Sequence, residues 1–298
     1  MSDVTQQHPD RTDIDRTPDP SSTNPSTPDP STPDPSTPDP STPDPSTPDP
    51  STPDPSTTGA ERAVRLVVLD MAGTTVCDDG LVEQAFSAAA RRLGVEPGSP
   101  EHAAHLAYVR ATMGESKISV FRHLFGDEDR AQRANEAFEG AYGELVDAGQ
   151  CAPVPGAREA IEELTGQGRT VVLSTGFARA TQDAILAALG WRDLVALTLC
   201  PADAGGRGRP YPDMVLSALL RTHAADSVQQ LAVAGDTAYD MLSGRRAGAR
   251  LVAGVLTGAH DEQQLRAAGA THVLGSVAAL PALLSTYESG AAARGTAP

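Results

Sequence analysis

The chain is sparing with several kinds of residue. Only 4% of its 298 residues are aromatic, three are cysteine, and a single lysine, Lys117, stands among 23 basic residues. The cysteines, Cys77, Cys151 and Cys200, have no zinc-site spacing, and an odd number cannot form a complete disulfide framework. There is no basic excess: the net charge is −16, and no basic stripe interrupts it, which excludes nucleic-acid binding. No apolar run is long enough to span a bilayer, and the opening Met-Ser-Asp-Val-Thr has neither a positive nor an apolar leader region. A cytoplasmic protein with reduced thiols and no membrane partner is therefore expected. Gly-x-Gly-x-x-Gly after a strand and Gly-Lys-Ser/Thr loops are both missing, so dinucleotide and nucleotide cradles are excluded.

Large apolar residues are almost absent before residue 61. From Ser26 to Pro55 the pentad Ser-Thr-Pro-Asp-Pro repeats six times. Such a stretch has too little apolar surface to offset the entropy of ordering it. Its prolines favour extended backbone, and its regularly spaced aspartates repel one another. Residues 1–60 are expected to be a disordered acidic tail. Eleven of the 39 acids and two of the 23 bases fall there, leaving 28 acids against 21 bases for the remainder.

The remaining 238 residues suffice for one large or two modest domains. Leu66–Leu69 is an apolar run that reads as a buried strand and ends on Asp70. Helical spacing follows in Leu81–Leu93, Glu101–Thr112, Ile118–Phe125 and Arg130–Ala148, with no strand signal between them. After Pro153-Val-Pro-Gly156 the rhythm changes. Short β-branched or apolar runs at Thr170–Leu173, Leu194–Leu199, Leu231–Ala234, Leu251–Leu256 and His272–Leu274 alternate with helices of about ten residues. That alternation implies a parallel sheet with crossover helices. The expected fold is α/β: a Rossmann-like core of residues 61–79 and 153–298, with an all-helical cap, 80–152, inserted after the first strand.

Four strand ends carry polar signatures: Asp70-Met-Ala-Gly-Thr-Thr, Ser174-Thr-Gly176, the loop Gly208-Arg-Pro-Tyr-Pro-Asp213, and Gly235-Asp236-Thr-Ala-Tyr-Asp240. Each alone has a bland reading, since an acid or hydroxyl after a strand often only caps the next helix. Together they suit phosphoryl transfer. A carboxylate such as Asp70 can attack phosphorus. The anion needs hydroxyls, N–H groups and a fixed cation, here Ser174, Thr175 and Arg209. A carboxylate beside a phosphate dianion calls for a hard divalent cation such as Mg²⁺, with Asp70, Asp236 and Asp240 as oxygen ligands.

In order and position the four signatures resemble the four motifs of the haloacid dehalogenase superfamily. The resemblance implies Asp70 as nucleophile, Ser174 and Arg209 as the second- and third-motif groups, and Asp236 and Asp240 as magnesium acids. It also implies Thr74 and Thr175 as phosphate-binding groups and the Ala72 backbone carbonyl as a metal ligand. Most phosphatases of the superfamily place a proton-transferring acid where this chain has Ala72. Alanine is similar to the first motif of phosphonoacetaldehyde hydrolase, Asp-x-Ala-Gly-Thr-Thr, whose cap lysine forms an imine with the aldehyde. Met113-Gly-Glu-Ser-Lys117 resembles that lysine segment. Phe177, Val120 and Met71 depart from that enzyme's Tyr, His and Trp, so the chain resembles the wider phosphonatase-like group. The resemblance thus implies cleavage of a carbon–phosphorus bond in a small phosphonate. A phosphatase acting on a small ester such as phosphoglycolate and a non-catalytic phosphate binder are the alternatives. A homodimer is among the assemblies the sequence allows.

Overall fold

The computed structural model describes residues 63–295; the repeat tail expected to be disordered lies outside them. Ten α-helices and six strands are described, in the order β1 (Leu66–Asp70), α1 (Leu81–Arg92), α2 (Pro100–Ala111), α3 (Lys117–Phe125), α4 (Glu128–Asp147), α5 (Ala157–Gly166), β2 (Thr170–Ser174), α6 (Arg179–Ala188), β3 (Leu197–Leu199), α7 (Asp213–Thr222), β4 (Leu231–Gly235), α8 (Ala238–Ala247), β5 (Leu251–Val255), α9 (Glu262–Ala267), β6 (His272–Leu274) and α10 (Leu280–Gly295). All strand pairings are parallel, and the sheet order is β3-β2-β1-β4-β5-β6. The α/β core with a helical insertion after β1 is the expected architecture. Among the described residues no helix is long and apolar enough to cross a membrane.

Register decides where the polar strand ends meet. Asp70 is opposite Ser174, and Leu69 is opposite Ala234. The first, second and fourth signatures therefore lie side by side at the carboxyl edge of the three central strands. In open α/β sheets that edge, where the chain order reverses around β1, forms a ligand crevice. The strand interiors hold it rigid. Val67, Leu69, Val171 and Leu173 pack on one face, while Leu66, Val68, Val172, Leu231 and Val233 pack on the other beneath Val215 and Ala218 of α7. Each fully buried Leu or Val contributes about 1.5–3 kcal/mol.

The insertion has its own aromatic centre. Phe86 stacks on Phe121 at 5.7 Å, and Phe138 and Tyr142 of α4 both reach Phe177 of the core, Tyr142 at 4.7 Å. Two linkers join insertion and core: Cys77 N–H donates to the Ala152 carbonyl at 2.8 Å, next to a Val76–Pro153 bridge.

Capping explains where observed elements differ from the expected ones. Pro100 starts α2 because Ser99 accepts the His102 N–H, and α4 starts at Glu128 because Asp127 accepts that of Arg130. The apolar run 194–199 yields only three strand residues, and the last helix runs on to Gly295.

Candidate active site

At the sheet edge Asp70, Asp236 and Asp240 each offer a carboxylate oxygen within 4.8 Å of the others, and all three residues are buried. Arg209 runs between them. Its Nη1 lies 2.6 Å from Asp70 Oδ1, its Nε lies 2.8 Å from Asp240 Oδ1, and its Nη2 donates to Ser174 Oγ at 2.8 Å and to the Ser174 carbonyl at 3.0 Å. Three acids face one guanidinium. Burial pushes the Asp70 carboxyl well above the carboxylate range, opposed by Arg209 and reinforced by Asp240 and Asp236. Burial and Asp240 push Asp236 up to about 6. Burial opposes the charge of Arg209, but Asp240, Asp70 and Asp236 together outweigh it and raise its pKa.

An excess of buried carboxylate oxygen is the donor set that a hard divalent cation takes. The carboxylates of Asp70, Asp236 and Asp240 fit Mg²⁺, and Ala72, lining the same cavity, would present its carbonyl. Asp236 is fixed from three sides: Thr74 Oγ donates to Oδ1 at 3.1 Å, Ala259 N–H donates to Oδ2 at 2.8 Å, and His260 N–H donates to its main-chain carbonyl at 3.2 Å. Asp240 closes a capping box with Thr237 at the start of α8. Thr75 Oγ donates to the Asp70 carbonyl at 2.9 Å.

Above this edge lies a cavity of about 480 Å³ lined by Asp70, Ala72, Lys117, Thr175, Arg209 and Asp236, among others. Thr74, Ser174 and Asp240 sit behind that lining. The hydroxyl of Thr74 serves Asp236, and that of Thr175 accepts the Phe177 N–H at 3.2 Å.

Lys117 begins α3 at the inner face of the insertion and is 9% exposed. Its Nζ lies 5.6 Å from the Phe177 ring centre, over the ring, and no carboxylate oxygen lies within the 4.0 Å of an ion pair among the described residues. Burial lowers its pKa, opposed by Asp78 and Asp70. Backbone docking sets its position: Lys117 N–H donates to the Gly176 carbonyl at 3.2 Å. A Cβ on Gly176 would stand 2.8 Å from the Glu115 carbonyl oxygen, and one on Gly208 would stand 2.8 Å from Ser116 Cβ. The two glycines let the lysine segment sit directly on the second and third signatures.

Three features went unread in the sequence. The loop after β5 completes the edge: Thr257 Oγ donates to the Gly73 carbonyl at 2.7 Å, and Ala259 holds Asp236. Its Thr-Gly dipeptide at a fifth strand end was the available signal. Asp78 lines the cavity and caps α1, accepting the Val82 N–H at 3.1 Å. Glu83 and Arg110 form a two-bonded pair at the cavity wall. The turn into α1 is left-handed at both Asp79 (φ 40°) and Gly80 (φ 78°).

The fold and the clustered strand-end acids fit a hydrolase. Residues 64–248 match the family model of haloacid dehalogenase-like hydrolases, and the chain belongs to that family. It is 31% identical over 207 residues to the probable phosphatase IndB of Dickeya dadantii, covering 68% of this chain and 86% of that protein. It is 26% identical to the phosphonoacetaldehyde hydrolase of Bacteroides fragilis, covering 76% of this chain and 98% of that enzyme. A phosphonoacetaldehyde hydrolase-like protein from Oleispira antarctica superposes with a TM-score of 0.67 at 26% identity, covering 80% of this chain and 97% of that one.

Proposed function

We propose that this hydrolase cleaves the carbon–phosphorus bond of phosphonoacetaldehyde or a closely related small carbonyl phosphonate. The observation that carries the reading is the pairing of Lys117, buried in the wall of the same cavity as Asp70, with Ala72 in place of a proton-transferring acid. A Schiff-base lysine must be neutral to attack, and burial lowers the pKa of Lys117. Its imine with the aldehyde carbon turns that carbon into an electron sink. Asp70 then attacks phosphorus, the phosphorus–carbon electron pair moves into the iminium, and an enamine leaves on Lys117. No alkoxide leaves, so no proton donor at position 72 is required. Water then hydrolyses the phosphoaspartate, and protonation and hydrolysis of the enamine release the aldehyde.

Arg209, Thr175 and the N–H groups of the second signature bind the phosphonate anion in this reading. Mg²⁺, held by Asp70, Asp236, Asp240 and the Ala72 carbonyl, would neutralise charge between nucleophile and dianion. Residues 80–152 act as the cap that excludes water, on the core 61–79 and 153–298. A second reading, hydrolysis of a phosphomonoester, is favoured by the 31% identity to a protein named a phosphatase. The cavity-lining carboxyls Asp78 and Glu115, raised by burial, would then supply the acid. Phosphate release from phosphonoacetaldehyde and phosphoglycolate, by wild type and Lys117→Ala, separates the two. The phosphonatase reading predicts release from the aldehyde alone, abolished by Lys117→Ala. Undiminished turnover by the variant, or preference for the ester, would sink it.

A further inference from the structure

Imine chemistry needs a proton carrier near the lysine, and positions 72 and 120 supply none. Ala72 cannot transfer protons, and Val120, one turn along α3 from Lys117, is buried and apolar. Four acids outside the metal cluster line the cavity: Asp78, Asp79, Glu83 and Glu115. Asp79 is exposed. Both oxygens of Glu83 are engaged by Arg110, at 2.7 and 2.6 Å. Glu115 interacts with His123 and Tyr239 as well as with Lys117. Asp78 differs. Its Oδ1 accepts the Val82 N–H at 3.1 Å, while Oδ2 has no partner among the described residues. Of the charges around Lys117 it acts most strongly, ahead of Asp70, Arg209 and Asp236. Asp78 itself is faced by Lys117, Glu83 and Asp79, with Tyr142 of α4 nearby.

We propose that Asp78 is the proton-transfer group for Lys117. This rests on the imine reading. The Asp78 carboxylate takes a proton from the Lys117 ammonium, freeing the nitrogen lone pair. The amine adds to the aldehyde carbon, forming the carbon–nitrogen bond, and a nitrogen proton moves to the former carbonyl oxygen to give a neutral carbinolamine. The Asp78 carboxylic acid returns its proton to that hydroxyl, which leaves as water as the nitrogen lone pair forms the iminium. Overall, ammonium plus aldehyde gives iminium plus water, and Asp78 ends as it began. Its other oxygen is pinned to the first turn of α1, so the carrier sits on the linker that joins cap and core.

The test is the rate at which borohydride traps phosphonoacetaldehyde on Lys117, followed by intact mass in wild type, Asp78→Asn, Asp78→Glu and Asp78→Ala. Asparagine keeps the helix cap and loses only the proton. Asp78→Asn is expected to trap 10² to 10⁴-fold more slowly, roughly the usual contribution of general acid–base catalysis, with its unfolding temperature unchanged. Added formate is expected to speed trapping by Asp78→Ala in proportion to its concentration, which a purely structural role would not produce. Wild-type trapping rates in Asp78→Asn, or no response to formate, overturn the proposal. If Asp78→Asn is misfolded, Asp78→Glu decides: recovered trapping supports the carrier role and none refutes it. A wild type that traps nothing overturns the imine reading itself, and this proposal with it.

Discussion

Neutralising Asp70 should make the metal-free protein more stable. The ligand atoms of Asp70, Asp236 and Asp240 lie within 4.8 Å of one another. At an effective dielectric constant of about 20, two charges that close repel by about 3.5 kcal/mol or more. Asp70 meets two such charges, so its repulsion is about 7 kcal/mol. Its contact with Arg209 at 2.6 Å is worth about 6 kcal/mol on the same scale. These nearly cancel, and the cost of burying a carboxylate remains, several kcal/mol per ion. Asp70→Asn removes that cost while keeping an oxygen to accept from Arg209, for a net gain of about 1–3 kcal/mol. In a folded part of this size each kcal/mol moves the unfolding temperature by about 2–4 °C. The sign with pH follows from the raised pKa of Asp70. The folded state holds its proton longer than the unfolded state, so wild-type stability falls as pH rises toward that folded pKa. The advantage of Asp70→Asn is therefore greatest at neutral and alkaline pH and shrinks on acidification. Thermal unfolding in chelator between pH 5 and 8 measures it. Mg²⁺ at about one hundred times its Kd should restore about 2.7 kcal/mol to wild type, and less to the variant. An Asp70→Asn protein less stable than wild type in chelator at pH 8 would refute the reasoning.

Lys117→Met should also stabilise the fold while removing carbonyl-dependent phosphate release. Because burial lowers the lysine pKa, the gain is greatest below the folded-state pKa and closes as pH rises from there to the unfolded value; urea melts at pH 7 and pH 10 show the difference. Gly176→Ala puts a methyl 2.8 Å from the Glu115 carbonyl oxygen, an overpacking of about 1–3 kcal/mol. It should slow imine trapping, whereas Gly166→Ala, with nothing within 4 Å, should leave trapping unchanged. Arg209→Ala leaves three buried acids without their cation and should cost about 3–5 kcal/mol. Part of that loss should return at low pH, where the acids take up protons, as denaturant titration at pH 5 and 8 would detect.

The fold was legible wherever periodicity and local chemistry agreed. Leu66–Asp70 is apolar up to an acid because both faces of a central strand are buried, so its pattern survives in one dimension. Three of the four signatures could be ordered from sequence because parallel register brings strand ends together; the third, 208–213, lies beyond β3 in the loop that leads into α7. Other features depend on contacts across the fold. That Arg209 spans Asp70, Asp240 and Ser174 is a three-body arrangement no spacing encodes. The work of Gly176 and Gly208 is visible only once the lysine segment is seated on them. Asp78 carries no signature in the sequence, because its interaction with Lys117 crosses from the first linker to α3. The loop at Thr257–Ala259 carries no charged residue, and its role lies in N–H and hydroxyl groups aimed at Asp236 and Gly73.

The most direct measurement is peptide mapping after borohydride reduction of wild-type protein turning over phosphonoacetaldehyde with Mg²⁺. Carbon–phosphorus cleavage through Lys117 predicts a two-carbon fragment on the peptide containing Met113–Lys117, with loss of phosphate release as it accumulates. Steady phosphate release with that peptide unmodified would contradict it.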